Sequence, residues 1–127
     1  MNQFTLIFAA IFGMLAIIFG AFGAHALKKI LNNDQQKSFE TGVKYQMYHA
    51  IVLLIFGFQL EFLKPIESYI IYCFIFGTIL FSFSIYGLVI SSAKNKKMRF
   101  LGPITPLGGL LLTIGWVMFL YNIISNY

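Results

Sequence analysis

The chain has 127 residues, of which 59% are hydrophobic and only 10% are charged, and its mean hydropathy is +0.82. A soluble domain is about 25% charged, so this composition excludes an ordinary water-soluble protein. The net charge of the chain is +5, and a basic charge of this kind is typical of nucleic-acid-binding proteins when the protein is soluble. In so apolar a chain we assign this charge to membrane orientation and to contact with lipid headgroups, and we predict no nucleic-acid partner.

The first predicted element is an apolar helix over residues 4–27. It is longer than the core of a signal peptide, and residues 1–3 carry no basic side chain, so we interpret it as an uncleaved first membrane span. Its small residues recur on one helix face, which allows another backbone to approach closely. We expect helix packing, within the monomer or between copies, at Gly13, Ala16, Gly20, Gly23 and Ala24.

A second helix is predicted to begin at an Asn33 N-cap, with Gln36 completing the cap, and to end at Leu63 before Lys64 and Pro65. A helix of about thirty residues is about 45 Å long, which exceeds the hydrocarbon core of about 30 Å. We therefore place the second span at residues 45–63 and the preceding turns in the membrane interface.

The third span is predicted over residues 68–92 and the fourth over residues 106–124. Two prolines, at positions 103 and 106, delay the fourth helix, so we predict Thr105 as its N-cap. Gly108 and Gly109 follow in its first turns, where we expect them to serve helix packing.

The basic residues predict an orientation for these four spans. Eight of the nine lysines and arginines lie in two connecting segments, residues 28–44 and 93–104, and only Lys64 lies elsewhere. Basic residues in short loops are held on the cytoplasmic side of a membrane. The sequence thus predicts an all-α, single-domain bundle of four transmembrane helices, with both loops cytoplasmic and both termini on the outer side.

Polar side chains of all four predicted spans gather at one depth, in the cytoplasmic half. Polar groups in a membrane are costly and often mark functional sites. We predict a ligand-binding or proton-relay cluster, in which the histidines titrate near neutrality and the other side chains supply hydrogen bonds. Its members are His25, Tyr45, Gln46, His49, Ser82, Ser84, Tyr86 and Thr105.

A structural role is open for the same residues. Serines in membrane helices often bond a carbonyl of their own helix, tyrosines anchor at interfaces, and histidines form bonds between helices. Two histidines are too few for a metal site, and no HExxH or CxxC motif occurs, so we predict no metal and no cofactor. The single cysteine, Cys73, allows no intrachain disulfide.

Five stretches of the chain match the pattern of a known family: residues 20–27, 39–50, 81–86, 102–109 and 115–116. They read GAFGAHAL, FETGVKYQMYHA, FSFSIY, GPITPLGG and GW, and together they cover all four spans in order. The chain resembles the bacterial membrane family called domain of unknown function 423, which has a eukaryotic relative, transmembrane protein 256. The resemblance implies a four-helix protein of the bacterial inner membrane and no assigned activity.

Three classes of function follow. The first is a protein that binds or passes a small solute, ion or lipid at the polar cluster, where passage would favour a homo-oligomer joined through the small-residue face of the first span. The second is a structural or accessory protein whose motifs serve helix packing and a membrane-protein partner. The third is a membrane enzyme. It is the least favoured class, because a catalytic pair of Ser82 or Ser84 with His49 has no buried acid to complete a triad.

Overall fold

The computed structural model describes residues 1–127 as an all-α protein. Its helices are α1 (Asn2–His25), α2 (Asn33–Gln59), α3 (Pro65–Thr78), α4 (Ser84–Ala93) and α5 (Ile104–Asn126). A π-helical segment, Ile79–Phe83, joins α3 to α4 without a break, so these three pieces form one long helix. Short 3₁₀ turns follow α1 and precede α5, at Leu27–Lys29 and Arg99–Leu101.

Three helical segments are long and apolar enough to cross a membrane: Asn2–Lys29, Pro65–Ala93 and Arg99–Asn126. Helix α2 has 27 residues and is of similar length, but its first half carries polar and charged side chains. We call the end of the molecule that holds both termini and the α2–α3 connection the terminal end. The opposite end, which holds residues 26–32 and 94–103, is the basic end.

Helix α2 begins and ends earlier than the sequence analysis predicted. Its N-cap is Asn32, whose side chain accepts a hydrogen bond from the Gln35 backbone at 2.8 Å, while the Gln35 side chain accepts one from the Asn32 backbone at 3.0 Å. The cap was predicted at Asn33, one residue late, because Asn33 and Gln36 have the same spacing as Asn32 and Gln35. The helix ends at Gln59 because Leu60 is extended and Phe62 has a φ of 55°.

Helix α5 also begins earlier than predicted, at Ile104 with Pro103 before it. The prediction that Thr105 is the N-cap was wrong. A proline is tolerated at the start of a helix, since its missing N–H would have no partner there, so Pro103 and Pro106 do not delay the first turn. The Thr105 hydroxyl is thereby free to bond to the neighbouring helix.

The long helix α3–α4 is the centre of the packing. Ile70, Ile71 and Phe74 in α3 are fully buried. Helix α2 packs on one side of it and α5 on another, while α1 lies along α2. Towards the basic end, a second apolar cluster brings Leu27 and Phe39 against Tyr86 of α4. This cluster and the first one, which contains Ile70, Ile71 and Phe74, hold the helices together along their whole length.

Close approach of α5 to the central helix depends on Gly108. A methyl group on Gly108 would overlap the backbone of Leu80 and Phe81 in the π-helical segment. Glycine therefore allows the two backbones to touch at the point where the central helix departs from α-helical geometry. The π-helical segment was not predicted from the sequence.

Candidate functional site

A hydrogen-bond chain through Gln46, the middle residue of α2, joins three helices. The Tyr86 hydroxyl of α4 donates to Oε1 of Gln46 in α2 at 2.7 Å. The Gln46 Nε2 group donates in turn to the Phe12 carbonyl of α1 at 2.9 Å. Gln46 is completely buried, so its amide has exchanged water for partners on two other helices.

The two serines of the central helix bond to different neighbours. The Ser82 hydroxyl donates to the Gly42 carbonyl of α2 at 2.7 Å. The Ser84 hydroxyl lies 2.5 Å from the Thr105 hydroxyl of α5 and 2.9 Å from the Phe81 carbonyl of its own helix. Gly42 also permits the close packing of α2 on α4, because a methyl group there would meet the Tyr86 ring at 2.8 Å. The central helix is thus bonded to both flanking helices.

His49 is held by hydrogen bonds at both ring nitrogens. Its Nδ1 lies 2.8 Å from the Tyr45 carbonyl, one turn back in α2, and its Nε2 lies 3.3 Å from the indole Nε1 of Trp116 in α5. A carbonyl only accepts and an indole N–H only donates, so Nδ1 carries the proton and Nε2 accepts. These partners fit the neutral imidazole.

Two predicted members stand apart from this network. His25 is exposed at the last residue of α1, beside Lys28 and Lys29 at the basic end. Tyr45 contributes its carbonyl to His49, and the residue is 43% exposed. Its ring lies edge-on to Tyr48, and it is nearly parallel to the His49 ring with centroids 6.5 Å apart. The other six residues bond to neighbouring helices in separate hydrogen-bonded sets, which we call the polar network: Gln46, His49, Ser82, Ser84, Tyr86 and Thr105. The side chains of His25 and Tyr45 form no hydrogen bond in it.

The small residues named in the sequence analysis lie mainly between α1 and α2. A methyl group on Gly20 would contact Val43 at 3.4 Å, one on Gly23 would meet the Phe39 ring at 2.7 Å, and one on Gly13 would lie 3.9 Å from Ala50. Ala16 is buried, whereas Ala24 is exposed. On α5, Gly109 faces the Phe81 ring at 3.7 Å, in ordinary contact distance.

A cleft of about 900 Å³ opens beside this network at the basic end. Its floor is the apolar face of α4 formed by Ile85, Leu88 and Val89. Its walls are the first turns of α2 and α5, including Ser38 and Thr105. Thr105 thus bonds to the network on one side and lines the cleft on the other.

Lys97 and Arg99 stand at the mouth of the cleft, on the connection between α4 and α5. That connection is folded back on the end of α4, because the Ser91 hydroxyl accepts a hydrogen bond from the Met98 backbone at 3.1 Å and the Ser91 carbonyl accepts one from Lys96 at 2.9 Å. Leu101 packs against Gly87 of α4. The backbone that carries two cations is therefore held next to an apolar surface.

This cleft was not predicted from the sequence. The basic residues of the loop predicted only the orientation of the spans, and no apolar residues of α4 were grouped with them. A basic loop next to an apolar helix face is common in membrane proteins, so the sequence alone did not single it out. No three side chains of the types His, Cys, Asp or Glu come together as a metal site would need.

Comparisons with known proteins give a family. The model of a family described as "Protein of unknown function (DUF423)" matches residues 19–109. The chain is similar to the UPF0382 inner membrane protein YgdD of Escherichia coli strain K12, with 34% identity over 97% of this chain and 91% of the relative. It is also similar to the UPF0382 membrane protein SAB0533 of Staphylococcus aureus, with 36% identity over 89% of this chain and 88% of the relative. No solved structure matches the chain.

Proposed function

This chain belongs to the DUF423 family and is a multi-pass inner membrane protein, and we propose that it binds an amphipathic anion in the cleft at its basic end. The cleft is the observation that carries the proposal. An apolar floor with two cations at its mouth matches a molecule that has an anionic head and an apolar tail.

The proposal includes a topology in which α2 is a fourth span and the whole chain is one membrane domain. Helix α2 is antiparallel to α1 and packs along it, and its 27 residues extend about 40 Å, enough to cross the hydrocarbon core. The basic end then faces the cytoplasm and both termini face outward, in keeping with the basic residues of both loops. The cleft opens at the cytoplasmic surface.

The polar network itself is a poorer candidate for the ligand site. Gln46 and His49 already bond to partners on other helices, and Ser84 is paired with Thr105. A ligand or a relayed proton would have to break those bonds, each of which leaves a buried group unpaired. We therefore favour binding at the cleft over passage through the network, and we assign the network to holding the helices that form the cleft.

A second candidate is the structural or accessory role, and the completeness of the network favours it. None of these side chains has a buried polar atom without a partner in the protein. Such complete pairing specifies how the helices pack, which a protein that positions a membrane partner also requires. Such a protein would have no need of a small-molecule ligand. A homo-oligomer is compatible with either candidate.

Binding of oleate, a single-chain anionic amphiphile, tests the proposal. The purified protein in a neutral detergent would be titrated with oleate at pH 8. Native mass spectrometry would give the number of oleate molecules bound per chain. Ser38→Trp places an indole ring in the cleft from an exposed position on α2, and Thr41→Trp places the same ring one turn along the same helix, at an exposed position outside the cleft.

We expect one oleate per wild-type chain, at least tenfold weaker binding in Ser38→Trp, and binding within twofold of wild type in Thr41→Trp. Equal binding by the two variants would contradict a site in the cleft. Absence of an oleate adduct in the wild type would favour the accessory role.

A further inference from the structure

We propose that the natural occupant of the cleft is a glycerophospholipid of the cytoplasmic leaflet, an inference that rests on the proposed function and on the proposed topology. Its phosphodiester lies between Lys97 and Arg99, and one acyl chain lies on the floor formed by Ile85, Leu88 and Val89.

The position of the cleft on the outside of the bundle gives a lipid lateral access. Helix α4 is the floor, and the first turns of α2 and α5 are the walls. Helices α2 and α5 each pack on the central helix but share little direct backbone contact with each other. The groove between them therefore faces the bilayer along its side, and a lipid enters it without leaving the membrane.

The depth of the cleft matches the part of one leaflet that lies nearest the headgroups. Ile85 lies eight residues before Ala93, the last residue of α4, so the floor extends about 12 Å from the basic end. The hydrocarbon core is about 30 Å thick, so this distance is less than one leaflet. The cations at the mouth then lie at headgroup level, and the floor lies beside the glycerol and the first half of an acyl chain.

The charges of the cleft favour a phosphodiester over a phosphate with two negative charges. Arg99 offers the paired N–H groups that suit phosphate oxygens, and Lys97 adds a second cation. Asp34, in the first turn of α2, lines the same cleft. Its carboxylate repels a second negative charge on the headgroup, so a lipid whose only charge is the phosphodiester is preferred.

Native mass spectrometry in a neutral detergent tests this occupant, with dioleoyl phosphatidylglycerol as the lipid. The cleft variant is Lys97→Gln/Arg99→Gln. The matched control is Lys28→Gln/Lys29→Gln, which removes the same charge from the other basic loop. Dioleoyl phosphatidic acid and free glycerol phosphate are the comparison ligands, and circular dichroism checks that each variant is folded.

We expect one phosphatidylglycerol per wild-type chain, at least tenfold weaker binding in the cleft variant, and a change of less than twofold in the control. Phosphatidic acid should bind more weakly than phosphatidylglycerol, and Asp34→Asn should reduce that difference. Glycerol phosphate should not displace the lipid.

Four results would overturn the inference. Equal losses in the two double variants would mean that lipid is attracted only by the general charge of the basic end. Displacement by glycerol phosphate would identify a soluble anion as the ligand. Oleate binding without phosphatidylglycerol binding would leave the proposed function standing and reject the phospholipid, whereas loss of both would reject the proposed function itself.

Discussion

The indole N–H of Trp116 lies 3.3 Å from Nε2 of His49 and donates a hydrogen bond that joins α5 to α2. The opposite ring nitrogen of His49 donates to the Tyr45 carbonyl at 2.8 Å. Both nitrogens of this histidine are therefore committed to partners that suit a neutral ring. A proton relay through His49 would require the Trp116 bond to break.

Replacing Trp116 by phenylalanine should destabilise the protein, because Nε2 of His49 loses its donor while much of the aromatic packing is kept. Hydrogen bonds between membrane helices contribute about 0.6 kcal/mol on average, with a maximum of about 1.7 kcal/mol. We expect a loss in this range, measured by unfolding in mixed micelles with increasing SDS. Val117→Ala, at an exposed neighbouring position, is the control and should change stability less.

A double-mutant cycle on Tyr86→Phe and Gln46→Leu should show coupling. Each single change leaves the other buried group without its 2.7 Å partner, whereas the double change removes both groups. We expect the double variant to be more stable than the sum of the single effects predicts, by about 0.5–2 kcal/mol. Additive effects in the same SDS titration would mean that the two side chains do not bond.

Gly108→Ala should be strongly destabilising, because the added methyl group overlaps the backbone of the π-helical segment and the backbone cannot move aside cheaply. Overpacking of this kind costs about 1–3 kcal/mol. Gly109→Ala is the matched control, since its methyl group would lie 3.7 Å from the Phe81 ring and alanine favours a helix. Similar stabilities of the two variants would contradict this packing.

The proposed topology predicts the accessibility of introduced cysteines in a Cys73→Ala background. A cysteine at Asn95, in the α4–α5 connection, should be protected from a membrane-impermeant maleimide in intact cells. A cysteine at Ser125, near the end of α5, should react. The reverse pattern would place the basic end outside the cell and would remove the cleft from the cytoplasmic leaflet.

Much of the helical architecture could be predicted because it depends on local signals. Long apolar runs predicted four spans, and three segments of the structure are long and apolar enough to cross a membrane. Polar stretches marked the connections between helices. Cap positions were less certain where neighbouring residues offer equivalent partners, as Asn32 and Asn33 do. The prediction of Thr105 as the N-cap of α5 was wrong, because the prolines were expected to delay the helix although its first turn tolerates proline.

The partners of the polar residues could not be predicted, since they depend on contacts far apart in the chain. Gln46 bonds to Tyr86, forty residues away, and to the Phe12 carbonyl, which has no signature in the sequence. The π-helical segment likewise has no signature in the sequence, and its contact with Gly108 joins residues more than twenty positions apart. The cleft arises from three helices and a loop, so no single stretch of sequence indicates it.

A high-resolution structure determined in a lipid nanodisc tests the central claim most directly. We predict non-protein density in the cleft, between Lys97, Arg99 and Val89, and none between His49 and Ser84. An empty cleft together with a bound molecule among His49, Ser84 and Tyr45 would contradict the account and would return the ligand site to the polar network.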